Sequence, residues 1–342
     1  MATARKLPSG SWRVQLYDYT DEKGKRHYRS FTAGTKKQAE LLAAQYNAEG
    51  KRVKSEGTFQ EYAERYISQR TSVLSASTVR EYTGYLHRHL TEFGKKKIAR
   101  ITQEDAQEEV NALAKDLSPK TVRNVHGFIS AVLAAYRPEL ALHTILPKKI
   151  PPKLYIPTES EIQRLMEYVK DTRLELPVLL AAFGPMRRGE ICALRAENID
   201  GCVVHVCENM VLNKENQWII KAPKSYAGDR YIEYPQFVAD KWKGRSGRIV
   251  EMKPSQISDH FADVIKKAGL PKFRFHDIRH FSASIQHAMG IPDAYIMERG
   301  GWKNDGVLKQ VYRHALSDQS KQMNKKVNDY FTNYATQNAP RK

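Results

Sequence analysis

From Trp12 to Tyr17 the chain alternates, with Trp12, Val14 and Leu16 on one side and Arg13, Gln15 and Tyr17 on the other. A period of two predicts a half-buried strand, and the polar run Asp21 to Lys25 before a second β-prone stretch, His27 to Phe31, predicts a hairpin. After Thr35 the period lengthens. Ala39, Leu42, Ala43 and Tyr46 recur at i, i+3, i+4 and i+7, the signature of an amphipathic helix capped by Thr35. The polar stretch Lys51 to Gly57 reads as a linker. Thr58 with Glu61 then forms a capping box that opens a helix with Phe59, Tyr62, Ala63, Tyr66 and Ile67 inward. Val79, Tyr82, Leu86 and Leu90 mark a second helix, and Thr102 with Asp105 opens a third. Ser118 and Pro119 start a fourth that carries Val122, Val125, Ile129 and Val132.

His143 to Ile156, with Pro147, Pro151, Pro152 and Pro157, has no usable period and reads as a second linker. Thr158 with Glu161 opens another helical region, interrupted by strand-like stretches at 201–207, 218–221 and 230–234. The pattern predicts an α+β multidomain chain. Its parts are a small β-sheet-plus-helix domain with its linker at 1–56, a four-helix domain at 57–143, and a mainly α domain with a small antiparallel sheet and a C-terminal tail at 157–342. In the tail, Met323, Val327, Tyr330, Phe331 and Tyr334 are spaced as an apolar helical stripe.

Charge narrows the class. The 342 residues hold 56 Lys and Arg against 38 Asp and Glu, a net charge of +18. Such an excess suits a polyanion, because each cation that neutralises a phosphate also releases a condensed counterion. Residues 1–56 are basic on their own, and Arg70, Arg80, His87, Arg88, Lys95 to Lys97, Lys120 and Arg123 gather toward helix ends, where phosphates are easily met. No window approaches the roughly 18 apolar residues of a membrane span, and the first residues lack the apolar core of a secretion signal, so no membrane partner and a cytoplasmic location are expected. Three cysteines, Cys192, Cys202 and Cys207, make no disulfide framework. Cys202, His205 and Cys207 lie in a strand-like run with no second ligand pair, so no metal and no cofactor are expected.

The candidate chemistry sits in four late segments. In Met186-Arg187-Arg188-Gly189-Glu190, Ile191 and Leu194 fall four and seven positions after Arg187, which puts Arg187 on the buried stripe of a helix, with Glu190 able to hold its guanidinium fork. In His276-Asp277-Ile278-Arg279-His280, the residues His276, Arg279 and His280 share one helical face while Ile278, Phe281, Ile285 and Ala288 form the other. Pro223-Lys224-Ser225 follows a strand that ends near Lys221, so either lysine can serve the turn. Gly300-Gly301-Trp302 precedes Tyr312, with Tyr330 and Tyr334 farther on. Two arginines, a lysine, a histidine and a tyrosine suffice to break a phosphodiester without a metal. Arginines neutralise the non-bridging oxygens, the lysine protonates the departing oxygen, and the tyrosine attacks.

The order and spacing of these segments resemble the tyrosine recombinase (phage integrase) family along nearly the whole chain. Met186 to Glu190 looks like the family's first arginine box, His276 to His280 like its His-x-x-Arg box, and Gly300-Gly301-Trp302 like its Leu-Gly-His box with tryptophan for histidine. The resemblance implies catalytic roles for Arg187, Lys224, His276, Arg279, Trp302 and Tyr312 as nucleophile, with Glu190 and His280 in support. It implies a C-terminal catalytic domain, a helical core-binding domain and an amino-terminal domain that reads accessory arm sites. It further implies a homotetramer acting on double-stranded DNA through a 3′-phosphotyrosyl intermediate, with accessory DNA-bending and directionality proteins, in a bacterial host cell, to integrate and excise a mobile element. A chromosome-dimer-resolving recombinase, a type IB topoisomerase-like enzyme and a non-catalytic DNA-binding regulator are the alternative classes.

Overall fold

The computed structural model describes residues 3–20, 26–48, 57–150, 155–223 and 226–306, together with 309, 325, 327–330 and 332. Its Cα framework divides into two compact units, Met1–Val73 with Glu81–Ile150, and Leu74–Arg80 with Pro151–Lys342.

The first unit begins with a three-stranded antiparallel sheet of β1 (Arg5–Lys6), β2 (Trp12–Thr20) and β3 (Arg26–Ala33), in the order β1-β2-β3. The register sets Val14 opposite Phe31 and Gln15 opposite Ser30. Val14 and Leu16 are buried while Arg13, Gln15 and Tyr17 are exposed, as a strand covered on one face requires. The turn expected at Asp21 to Lys25 lies outside the described residues. Helix α1 (Lys36–Ala48) covers the apolar face through Ala39 and Ala43, and Thr35 accepts the Gln38 N–H at its start. Leu42, expected inward, is 43% exposed. The small sheet is covered by the two alanines and Tyr46, and no room remains for a wider stripe.

The helical part contains α2 (Phe59–Ser68), α3 (Ala76–Arg88), α4 (Thr91–Lys95), α5 (Gln103–Asp116) and α6 (Pro119–Tyr136). The capping boxes Thr58/Glu61 and Thr102/Asp105 are both formed, and Ser118 accepts from the Thr121 N–H. Four of these helices were expected; the short α4, seating Phe93 edge-on to Phe59 at 5.0 Å, was not. Tyr82 stacks on Phe128 at 4.4 Å in the middle of the bundle. The expected second linker is partly structured. The Gln107 side chain accepts from the Ile145 N–H at 2.8 Å and donates to its carbonyl at 3.1 Å, Gln103 accepts from the His143 N–H at 2.8 Å, and Arg123 Nε donates to the Pro147 carbonyl at 2.9 Å. Residues 143–147 therefore belong to the bundle, because an amide side chain can pair with both backbone groups of a residue as a neighbouring strand would.

The second unit contains α7 (Glu159–Val169), α8 (Glu175–Phe183) and α9 (Arg188–Ala193), then β4 (Ile199–Asp200), β5 (Val203–Val206), β6 (Asn209–Leu212), β7 (Trp218–Lys221) and β8 (Arg230–Glu233). It continues with α10 (Gln236–Ala239), α11 (Pro254–Lys267), α12 (Phe275–Ala288) and α13 (Asp293–Gly300). The Thr158/Glu161 capping box opens α7. One small sheet was expected here; among the described residues there are two, β4-β5-β8 and the separate hairpin β6-β7. Strand β6 went unread because Glu208 precedes it, Asn209 opens it, and only Met210, Val211 and Leu212 carry an apolar signal. Helix α8, apolar throughout after Glu175, is the hub of the core. Val178, Leu180 and Ala181 are fully buried, and α12 and α9 pack against it.

Helix α12 departs from its expected two-faced pattern. Arg279 and His280, on the supposed polar face, are buried, while Phe281 and Ile285 are half-buried and Ala288 is exposed. The helix runs between α8 and α13 and has neighbours on both sides, so the face carrying charge is the deeper one.

Two glycines respond to a methyl group in opposite ways. A Cβ on Gly189 would stand 2.1 Å from Asn209 Oδ1 and 2.6 Å from the Met210 carbonyl, so Gly189→Ala must push α9 off β6. Gly127, inside α6, would meet nothing within 4 Å. Chemical denaturation should show Gly189→Ala less stable by about 1–3 kcal/mol and Gly127→Ala more stable by about 0.5–1 kcal/mol. Equal midpoints for the two variants would refute the packing described for α9.

Candidate active site

Arg187 is not on the helix stripe where the spacing placed it. It is the N-cap of α9, with φ −76° and ψ 147°, and the helix starts at Arg188. Pro185 and the extended cap turn the side chain out of the core, where it keeps 36% of its exposure. Glu190 does hold it, as expected. The carboxylate accepts from the Arg187 backbone N–H at 2.8 Å and from Nη1 at 2.7 Å, and Nη2 donates to the Gly301 carbonyl at 2.7 Å. Arg188 points elsewhere, to the Ser258 hydroxyl.

Arg279 lies on α12, 1% exposed. Its Nη1 donates to the Pro185 carbonyl, its Nη2 to the Gly300 carbonyl, and its guanidinium lies 4.0 Å from the centre of the Trp302 ring. The consecutive carbonyls of Gly300 and Gly301 thus receive Arg279 and Arg187, two residues far apart in the chain. Backbone conformation makes this possible. Gly301 has φ +65°, ending α13 with a left-handed residue, and the Trp302 N–H returns to the Met297 carbonyl at 2.9 Å. A Cβ on Gly300 would fall 1.7 Å from the Trp302 ring. Trp302 is buried with Ala283 and Ile296 and forms the floor under Arg279.

Arg230, the first residue of the strand-like stretch 230–234, was given no place in the site by the sequence pattern. It is buried on β8; Nη2 donates to Glu190 Oε2 at 2.9 Å, Nη1 to the Gly228 carbonyl at 3.2 Å and Nε to the Arg299 carbonyl at 2.8 Å. The available signal was the alternation of β8, in which Arg230 and Ile232 point inward and Tyr231 and Glu233 outward, since an arginine on an inward face requires an anion. Two guanidiniums therefore pair with one carboxylate, and a third, Arg279, acts on it through its charge. Burial alone would raise the Glu190 carboxyl, yet Arg230, Arg187 and Arg279 outweigh it and hold it below the usual carboxylate range. Burial first and Arg187 second push Arg279 well below its ordinary value, with Glu190 opposing. One negative charge against three positive ones leaves the cluster short of anion.

His276 and His280 follow each other by one turn on α12, rings edge to face at 5.0 Å. His276 is exposed and His280 buried. Crowding by neighbouring atoms, then His280 and Arg279, brings His276 to about 4 against the opposing Asp277. Burial likewise brings His280 to about 4, opposed by Asp277 and reinforced by Arg279 and Arg274. His280 Nδ1 is enclosed with no partner among the described residues. Both rings are neutral at pH 7.

The structure thus brings Arg187, Glu190, Arg279 and Trp302 together around Gly300 and Gly301, with His276 and His280 on the helix of Arg279. Lys224 and Tyr312 lie outside the described residues, as do Tyr334 and most of the tail stripe. Lys221, the alternative lysine, ends β7 opposite Asn209. Cys202 and Cys207 flank β5, and Cys202 donates to Gln236 rather than to a shared centre.

Residues 157–319 match the family described as "Phage integrase family", and residues 58–114 match "Phage integrase, N-terminal SAM-like domain". The chain is 23% identical over 94% of its length to a tyrosine recombinase XerC-like protein of Caldanaerobacter subterraneus subsp. tengcongensis, covering 96% of that relative. It is 26% identical to an integrase of Saccharopolyspora erythraea over 33% of its own length, and spans only 26% of that protein. Among solved structures, the Tn1549 transposon integrase in complex with transposon right end DNA superposes with a TM-score of 0.64 at 17% identity, over 79% of this chain and 99% of that one. A lambda integrase tetramer bound to a Holliday junction gives 0.57 at 15% identity, over 90% and 94%. At these identities the structures establish the fold.

The two depressed histidines give stability a definite pH sense. Unfolded, each ring binds a proton near the ordinary histidine value of 6.5; folded, each waits until about 4. Stability is therefore full above 6.5 and falls as the pH drops toward 4, at up to about 1.4 kcal/mol per pH unit for the buried His280. Melting temperatures between pH 7 and pH 5 should fall more steeply for the unaltered protein than for His280→Asn; parallel slopes would refute the burial of a neutral ring.

Proposed function

The chain belongs to the phage integrase family, and we propose that it is a site-specific tyrosine recombinase that cleaves and rejoins DNA to integrate and excise a mobile element. The observation that carries the site is the convergence of Arg187 and Arg279 on the carbonyls of Gly301 and Gly300, with one carboxylate among three guanidiniums. A phosphodiester brings one negative charge and its pentacovalent transition state two, so the cluster gains most from the transition state, the condition for catalysis. Arg187, open to solvent, meets the phosphate first. Arg279 is covered in the free protein, and its engagement requires the DNA to displace what covers it.

In this reading the Tyr312 hydroxyl attacks phosphorus, forming the 3′-phosphotyrosyl bond as the bond to the 5′-oxygen breaks. Lys224 delivers a proton to that oxygen. His276 supports the non-bridging oxygens as a neutral donor, Trp302 fixes the plane of Arg279, Glu190 holds Arg187, and His280 backs His276. Because the phosphotyrosine keeps the bond energy, a 5′-hydroxyl of a second duplex attacks it without nucleotide or metal. Exchange of both strand pairs through a four-way junction requires four protomers, and the Holliday-junction-bound lambda tetramer has the same fold. Residues 157–342 form the catalytic domain, 57–143 the core-binding domain, and 1–56 the arm-reading domain, with Arg13, Gln15 and Tyr17 on its open sheet face. Double-stranded DNA at core and arm sites is the partner, with DNA-bending and directionality proteins assisting in the bacterial cytoplasm. No helix among the described residues is long and apolar enough to cross a membrane. The XerC-like relative favours a second reading, chromosome-dimer resolution, which requires no arm sites; loss of the 1–56 segment without effect on recombination would select it.

Tyr312→Phe should bind core DNA within a few-fold of the unaltered protein and form no covalent complex on denaturing gels. Covalent complex in that variant would move the role to Tyr330 or Tyr334. Lys224→Ala should fail on ordinary DNA yet cleave a duplex whose leaving 5′-oxygen is sulfur, since a thiolate departs unprotonated; rescue of Lys221→Ala instead would reassign the acid. Removing residues 1–56 should abolish binding to accessory sites and spare the crossover core, and equal loss at both would leave the first domain a structural role only.

A further inference from the structure

Three consecutive carbonyls at the end of α13 each receive a different arginine. The Arg299 carbonyl accepts from Arg230 Nε at 2.8 Å, the Gly300 carbonyl from Arg279, and the Gly301 carbonyl from Arg187 at 2.7 Å. The last carbonyls of a helix lack partners within it, and the negative end of the helix dipole favours cations there. Two of these arginines are the ones assigned to the phosphate. The third differs. The Arg230 side chain keeps 3% of its exposure and packs against Gly301 so closely that a Cβ there would stand 3.0 Å from its Nη1 and 3.2 Å from its Cζ. A guanidinium covered to that extent does not touch DNA. Its fork reaches three acceptors instead: the Arg299 carbonyl, the Gly228 carbonyl at 3.2 Å, and the two oxygens of Glu190 at 2.9 and 3.4 Å. The same carboxylate holds Arg187 by its backbone N–H and by its guanidinium. Burial raises the Glu190 carboxyl, and Arg230 is the largest of the charges that bring it below the ordinary range.

We propose that Arg230 is a positioning residue for strand cleavage: by tying Glu190 to the carbonyl row of α13, it sets the spacing and direction of Arg187 and Arg279, the two arginines that take the scissile phosphate. The inference rests on the reading of the site as a DNA-cleaving centre. A buried ion pair adds little to stability over well-packed apolar side chains, so what Arg230 supplies is geometry. A lysine is no equivalent. Its ammonium is a point charge on a flexible stem, able to pair with Glu190 but not to hold a carboxylate and two carbonyls in one plane. Without the fork, Glu190 and the end of α13 are free to shift against each other, and Arg187, which is bonded to both, shifts with them.

The test measures single-turnover strand cleavage by the full chain on two nicked duplexes spanning the boundary of the DNA element that encodes it. One carries an ordinary scissile phosphate and the other a methylphosphonate at that position. A methyl group in place of a non-bridging oxygen removes the negative charge that the two arginines neutralise, so cleavage there depends less on where they stand. Each protein sample is given both duplexes at saturating concentration, and the ratio of the two rates is then independent of the fraction folded. Arg230→Met should cleave the phosphate about a hundred-fold more slowly than the unaltered protein, and the methylphosphonate within about five-fold of it. Arg230→Lys keeps a cation beside Glu190 and serves if the methionine variant does not fold; it should lose about ten-fold on the phosphate and less than about two-fold on the methylphosphonate. Equal losses on the two duplexes would make Arg230 structural only, and an unchanged rate on the phosphate would leave it no part in the reaction. An unaltered protein that cuts neither duplex would instead remove the reading of the site, and this inference with it.

Discussion

The buried carboxylate of Glu190 is the constraint on which the second unit turns. It caps α9 through the Arg187 N–H, holds the Arg187 guanidinium, and pairs with Arg230 from β8. A buried ion pair is weak evidence for stability, but losing one member is costly, about 3–5 kcal/mol, because the other charge is stranded. Here the loss would strand several cations at once. The same carboxylate therefore sets where α9 begins, how β8 lies against it, and how Arg187 faces solvent. Folding and charge placement are a single problem in this region.

Glycines translate that constraint into geometry. Gly189 lets β6 approach α9, and Gly301, with φ +65°, turns the chain so that successive carbonyls face two different guanidiniums. Backbone acceptors suit this purpose. They orient a guanidinium without cancelling its charge, so the positive field remains available to an anion.

Much of this was legible in the chain. Capping boxes at Thr58, Thr102 and Thr158 announced three helices because a reciprocal cap is a short-range device that tertiary packing does not alter. The pairing of Arg187 with Glu190 was readable for the same reason. The failures share one physical cause. Arg187 as a cap, Leu42 in solvent and the depth of Arg279 all depend on which neighbours arrive from far away, and periodicity reports only that a helix has two sides. Arg230 was passed over because a strand of four residues gives too short an alternation to distinguish a buried charge from an exposed one.

The hydrogen-bonded segment 143–147 has a consequence for where the helical bundle ends. Gln107 gives Ile145 both of the backbone partners that a neighbouring strand would give, Gln103 accepts the His143 N–H, and Arg123 donates to the Pro147 carbonyl. Backbone held in this way exchanges its amide hydrogens only when those bonds open, and so more slowly than a loop without partners. Two glutamines and an arginine thus extend the protected part of the bundle past its last helix.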